Sequence, residues 1–111
     1  MNTTQMMLNN QYLSGSSDAM TSAPISVAGN KAVLSVTVIN VSSTAPTFSC
    51  RMQGSYDGSA WENAGSAVTT NSFGHYTQEE ASISYAYLRV KAETTSAGNI
   101  LIDASIALSE Q

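Results

Sequence analysis

Charge is what this chain has least of. Asp, Glu, Lys and Arg together make up 11% of its 111 residues, where soluble domains average about 25%. The four basic residues, Lys31, Arg51, Arg89 and Lys91, are scattered, with only the last two close in sequence. Nucleic-acid backbones are held by clustered Lys and Arg that displace counterions, and anionic membranes by polybasic segments. The composition therefore argues against both partners. A single cysteine, Cys50, excludes an intrachain disulfide, and its place between Phe48 and Met52 reads as a buried thiol. One cysteine and one histidine cannot build a zinc site. No Asp-rich loop offers a calcium cage, no Gly-rich loop cradles phosphate, and no cofactor is expected. Nor does any apolar stretch approach the ~20 residues of a membrane helix. The start, Met1 to Gln5, lacks a basic region followed by an apolar run, so synthesis without a secretion signal is expected.

Ser and Thr fill the space left by charge, and a hydrophobic content of 42% is enough for one core. The pattern beneath is period-2, the mark of a strand with one buried face. Lys31 to Asn40 places Ala32, Leu34, Val36 and Val38 on one face. Pro46 to Tyr56 groups Phe48, Cys50 and Met52. Ile83 to Ala92 turns Ala86, Leu88, Val90 and Ala92 inward, and Asn99 to Leu108 does the same with Ile100, Ile102, Ala104, Ile106 and Leu108. Weaker strand signals cover Gln5–Leu13, Ala23–Val27, Ser66–Thr70 and Phe73–Thr77, while Gln78 to Ser82 reads as a short turn. Ala28-Gly29-Asn30, Asp57-Gly58-Ser59, Ala64-Gly65 and Ser96-Ala97-Gly98-Asn99 supply the breaks. No internal repeat or linker divides the chain. The expected architecture is all-β: a single antiparallel β-sandwich or jelly roll of about eight strands over residues 1–111.

Catalytic arrangements are poor. A Ser–His–Asp triad can be written with His75 and Asp103 only because serine is everywhere, and no Gly-x-Ser-x-Gly elbow exists to expose a nucleophile. Glu79 and Glu80, being adjacent, point to opposite faces of a strand or share a turn, and read as surface carboxylates. No catalytic residue and no metal ligand is expected, so the chain reads as a non-enzyme. Two features suit contact instead. In the amino-terminal segment, Met6, Met7, Leu8 and Tyr12 surround the polar run Asn9-Asn10-Gln11, and adaptable methionines favour contact surfaces. Residues 1–12 are thus either a first strand or an arm that docks on a neighbour. In Ser55-Tyr56-Asp57-Gly58-Ser59-Ala60-Trp61 the Asp-Gly pair makes the reversal. Tyr56 and Trp61 then either pair across a hairpin or form a platform for sugar stacking or protein contact.

The run Met52-Gln53-Gly54-Ser55-Tyr56-Asp57-Gly58-Ser59-Ala60-Trp61 resembles the hairpin of many small phage virion β-sandwich proteins. Those proteins follow it with a Tyr-x-Tyr-Leu-Arg-Val strand, a Gly-containing turn and a last alternating strand. Here the equivalents are Tyr85-Ala86-Tyr87-Leu88-Arg89-Val90-Lys91, Ser96-Ala97-Gly98-Asn99 and Ile100 to Leu108. The similarity covers roughly the last sixty residues. It implies a structural accessory protein of a bacteriophage virion: a capsid decoration (cement) protein seated on the major capsid protein, or a tail or fibre component. Such a protein is non-enzymatic and a homo-oligomer, often a homotrimer in decoration. The amino-terminal segment read above is the first candidate for such contacts, and Tyr85 and Tyr87, on the opposite face of their strand, are the next. Discoidin-like carbohydrate-binding sandwiches share the Asp-Gly-x-x-Trp and aromatic-Arg-Val pieces. That similarity implies the alternative, a glycan-binding or receptor-binding module using Tyr56 and Trp61.

Overall fold

The computed structural model describes residues 3–15, 18–27, 29–44 and 46–109. Ten strands account for most of them: β1 (Thr3–Ser14), β2 (Ala19–Thr21), β3 (Ile25–Ser26), β4 (Lys31–Val41), β5 (Phe48–Ser55), β6 (Glu62–Asn63), β7 (Val68–Thr70), β8 (Gly74–Ala81), β9 (Tyr87–Thr94) and β10 (Asn99–Ser109). They form two antiparallel sheets. One runs β1-β10-β4-β8. The other runs β2-β9-β5-β6, with β3 also pairing β9 and β7 also pairing β5. The all-β sandwich is the expected architecture.

Alternation in the sequence becomes the division between core and surface. In β9, β10 and β4 as far as Val38 every second residue is buried. The first sheet sends in Leu8, Leu13, Leu34, Val36, Val38, Ile100, Ile102, Ile106 and Leu108, and the second sends in Phe48, Cys50, Met52, Leu88 and Val90. Each fully buried Leu, Ile, Val or Phe side chain contributes about 1.5–3 kcal/mol relative to exposure, so this interleaved layer holds the sheets together. Ala86 departs from the expectation. It is exposed because β9 starts one residue later, after a bend in which the Ala86 N–H donates to the Ser55 carbonyl at 3.1 Å. Gln78 to Ser82 departs too: β8 runs through to Ala81, and the chain reverses at Ser82, whose φ is 65°.

Two short strands, β2 and β6, had no visible signal, because two or three residues cannot display a period. The β2–β3 edge is one strand interrupted at Ser22-Ala23-Pro24. Proline offers no N–H to a ladder, and Ser22 spans the gap. Its N–H donates to the Val90 carbonyl and its Oγ accepts the Val90 N–H, both at 2.9 Å. Strand β1 pairs with β10 from Thr3↔Leu108 to Ser14↔Asn99, with register shifts between Met6 and Leu8 and between Leu8 and Gln11. At the second shift Asn10 takes a φ of 50°, and its N–H donates to Asp103 Oδ1 at 2.6 Å. The polar Asn9-Asn10 pair thus sits at an irregular stretch that lets Leu8 and Leu13 both reach the core. The segment considered as a docking arm is, from residue 3 onward, this paired strand; residues 1 and 2 lie outside the described residues.

Candidate functional site

The densest aromatic cluster lies where β5 leaves the second sheet. Because Gly54 pairs with Glu62, the connection from Ser55 to Trp61 is a loop rather than a two-residue hairpin. Its geometry is fixed by side chains. Ser55 Oγ accepts the N–H groups of Asp57 and Gly58 at 3.3 and 2.8 Å and donates to Asp57 Oδ1 at 3.1 Å. The same Oδ1 accepts the N–H groups of Ser59 and Ala60 at 2.8 and 3.0 Å. These bonds, from Ala60 first, then Ser59 and Ser55, hold the Asp57 carboxyl below its ordinary value. Gly58 completes the turn with a φ of 83°, a conformation that costs glycine little.

Tyr56 and Trp61 both sit in this loop, and each finds its partner on or beside β9. The Tyr56 ring, 63% exposed, packs on Tyr85 with centroids 5.0 Å apart and planes tilted by 38°. Trp61 lies under the Arg89 guanidinium, 4.3 Å from ring centroid to Cζ, a cation–π contact. Arg89 is held in turn by Gln53, whose Oε1 accepts from Nε at 2.8 Å. The expected aromatic pair across a hairpin is therefore replaced by two contacts that tie the loop to the β9 side of the sheet. Half-buried Tyr87 lies beneath the turn beside Gly58.

Gly54 makes the arrangement sterically feasible. A Cβ on this residue would lie 2.6 Å from Tyr85 Cδ1 and closer still to Cγ and Cδ2, so the ring rests against bare backbone. Burial, followed by the nearby Glu62 carboxylate and Tyr56, pushes the Tyr85 hydroxyl above its ordinary value. Between these groups runs an open groove of about 260 Å³, lined by Gly54, Tyr56, Ala60, Trp61 and Glu62. Two of these side chains are aromatic and one is a carboxylate. Arg89, Gln53, Glu62 and Gly54 were not singled out from sequence. The readable signal was Gly54, since a lone glycine inside an alternating strand marks close approach by another group.

The remaining expected contacts lie elsewhere. Met6 and Tyr12 are exposed on the outer face of the first sheet, whereas Leu8 is core at 6% exposure and Met7 packs against that core. Leu8 thus drops out as a contact residue, because the register shifts of β1 turn it inward. On the same outer face the ladder Asp103↔Thr37↔His75 lines up three strands. His75 Nδ1 is 2.9 Å from Thr37 Oγ1, and Asp103 is engaged by the Asn10 N–H. No described serine is hydrogen-bonded to His75, so the arrangement is not a triad. Cys50 is buried, and burial pushes its thiol up to about 12, the opposite of nucleophile activation. Among the described residues no group of three or more His, Cys, Asp or Glu side chains is placed to hold a metal. Among them, too, no helix is long and apolar enough to cross a membrane.

No protein-family model and no curated protein sequence matches the chain, but solved structures resemble it. The fold superposes on the phage exported protein XepA of PBSX with a TM-score of 0.75 and 10% identity, over 98% of this chain and 37% of that one. It also superposes on Family 16 Carbohydrate Binding Module-2, with a TM-score of 0.62 and 8% identity over 88% of this chain and 74% of the module. A third match is the CBM36-1 domain of a multidomain xylanase from the hindgut metagenome of Trinervitermes trinervoides. There the TM-score is 0.59 and the identity 10%, over 100% of this chain and 99% of the domain. The chain spans just over a third of XepA and most of each carbohydrate-binding module. Its fold is thus the β-sandwich shared with the PBSX exported protein XepA and with carbohydrate-binding modules.

Proposed function

We propose that the chain is a non-catalytic recognition module of a phage-like particle, holding carbohydrate in the Tyr56–Trp61 groove. The observation that carries this reading is the pre-built aromatic wall. Tyr56 is exposed yet braced by Tyr85, and Trp61 is fixed by Arg89. Rings already held in place lose little conformational freedom when a ligand arrives. The apolar face of a sugar ring matches such a wall, and Glu62 offers hydrogen-bond acceptors to its hydroxyls. The likeness to carbohydrate-binding modules supports the ligand class, and the likeness to XepA supports the phage setting. The test is a glycan array followed by calorimetry on the best hit. Trp61→Ala and Tyr56→Ala should each weaken binding by at least about tenfold, as loss of a binding hot spot does. Tyr12→Ala, on the far sheet, should leave it unchanged. Absence of any glycan hit, or equal binding by all three variants, would reject the reading.

The second reading is a capsid decoration protein. The outer face of the first sheet favours it: Val33, Ser35, Thr37, Leu101, Ser105 and Ala107 lie there beside Asp103, His75 and the Lys31–Glu79 ion pair, a broad face of small and apolar side chains suited to a protein lattice. Co-sedimentation with virions, without affinity for any glycan, would select this reading over the first.

A further inference from the structure

Of the four sheet edges in this sandwich, three are interrupted. Strand β1 carries two register shifts. The opposite sheet ends in the split pair β2 and β3 on one side and in the short fragments β6 and β7 on the other. Such interruptions keep a free edge from recruiting another strand. Strand β8 has none of them. Its register with β4 is unbroken from Val38↔Gly74 to Lys31↔Ala81. It contains neither proline nor lysine, and no backbone–backbone hydrogen bond from a described segment other than β4 reaches it; its inward side chains Glu80 and Tyr76 take the Ser66 N–H at 3.2 Å and the Thr70 hydroxyl at 2.9 Å.

We infer that β8 pairs with β8 of a second copy, antiparallel and with the two-fold axis at Thr77, joining two four-stranded sheets into one. Side-chain complementarity selects the register. His75, Thr77 and Glu79 alternate along one face of the strand. With the axis at Thr77, His75 faces Glu79 of the second copy, whose carboxylate lies 3.5 Å from its own Lys31 Nζ, at two symmetric positions. An axis at Glu79 would oppose two carboxylates, an axis at His75 would oppose two imidazoles, and axes at Tyr76 or Gln78 would make no charged pair. The chemistry of His75 agrees. Nδ1 is engaged by Thr37 Oγ1 at 2.9 Å, and an N–H at Nε2 would donate to a carboxylate across the interface. The same register sets Phe73, 60% exposed at the start of the strand, opposite Ala81 of the second copy. Such a self-complementary edge closes as a dimer, not as the trimer implied by resemblance to decoration proteins. The inference does not depend on the carbohydrate reading.

The test is mass by sedimentation equilibrium, with circular dichroism and thermal melting confirming that each variant is folded. The wild-type chain should reach twice the 11.6 kDa of one copy. His75→Glu turns both cross-strand pairs repulsive and should raise the dimer dissociation constant by about tenfold or more. Adding Glu79→Lys to it restores opposite charges at both positions and should return the dimer. A monomeric wild-type chain would overturn the inference. So would a His75→Glu variant as dimeric as wild type, or a double variant as weak as His75→Glu alone.

Discussion

Gly54→Ala tests whether the candidate site depends on a missing side chain. Gly54 lies in β5 outside the left-handed region, so its backbone suits alanine. Replacing glycine inside a strand with alanine ordinarily stabilises by about 0.5–1 kcal/mol, through the entropy of the unfolded chain. Here the new methyl would overlap the root of the Tyr85 ring, where a side chain cannot swing clear without leaving Tyr56. Overpacking of this kind costs about 1–3 kcal/mol. The net effect is a destabilisation of up to about 2.5 kcal/mol, a fall in Tm of up to several degrees for a domain of this size. In a Tyr85→Ala background the obstacle is gone, and the same Gly54→Ala change should stabilise. The double-mutant cycle, read from urea denaturation followed by Trp61 fluorescence, should thus show a coupling of about 1–3 kcal/mol. If Gly54→Ala stabilises equally with and without Tyr85, the ring does not rest on this backbone and the account of the groove is wrong.

Deletion of residues 1–12 removes nearly all of β1, including buried Leu8, and should abolish cooperative unfolding; the milder Leu13→Ala should cost about 2–5 kcal/mol in urea denaturation. A truncated chain that melts like the full one would mean that β1 is dispensable. Cys50, pushed up to about 12 from an ordinary 9.0, stays protonated in the folded chain while the unfolded chain ionises. Stability should therefore fall as pH rises above about 9, by at most ~1.4 kcal/mol per pH unit. The difference in urea midpoint between wild type and Cys50→Ala across pH 8 to 10 isolates this thiol from the tyrosines, and a pH-independent difference would contradict its burial.

Much of the sandwich was legible because side-chain alternation is a local property. A strand with one buried face must place apolar residues two apart, and β5, β9 and β10 do so over most of their length, as does β4 up to Val38. Hence Leu34, Val36, Val38, Phe48, Leu88, Val90, Ile100, Ile102 and Ile106 could be assigned to the core before any pairing was known. Turn positions were legible for a similar reason: Gly58 and Gly98 take the positive φ angles that favour glycine. Which strand lies beside which is not local. The period of β1 does not reveal that it pairs with β10, some ninety residues away, because that choice rests on how two completed faces pack and how their irregularities match. The candidate site belongs to this second class. Tyr56, Trp61 and the Asp57-Gly58 turn could be read from their own segment, but Tyr85 and Arg89 reach them only because β9 pairs with β5. That pairing decided that the aromatics of the loop stack on β9-side partners rather than on each other, and so decided that a groove exists between them.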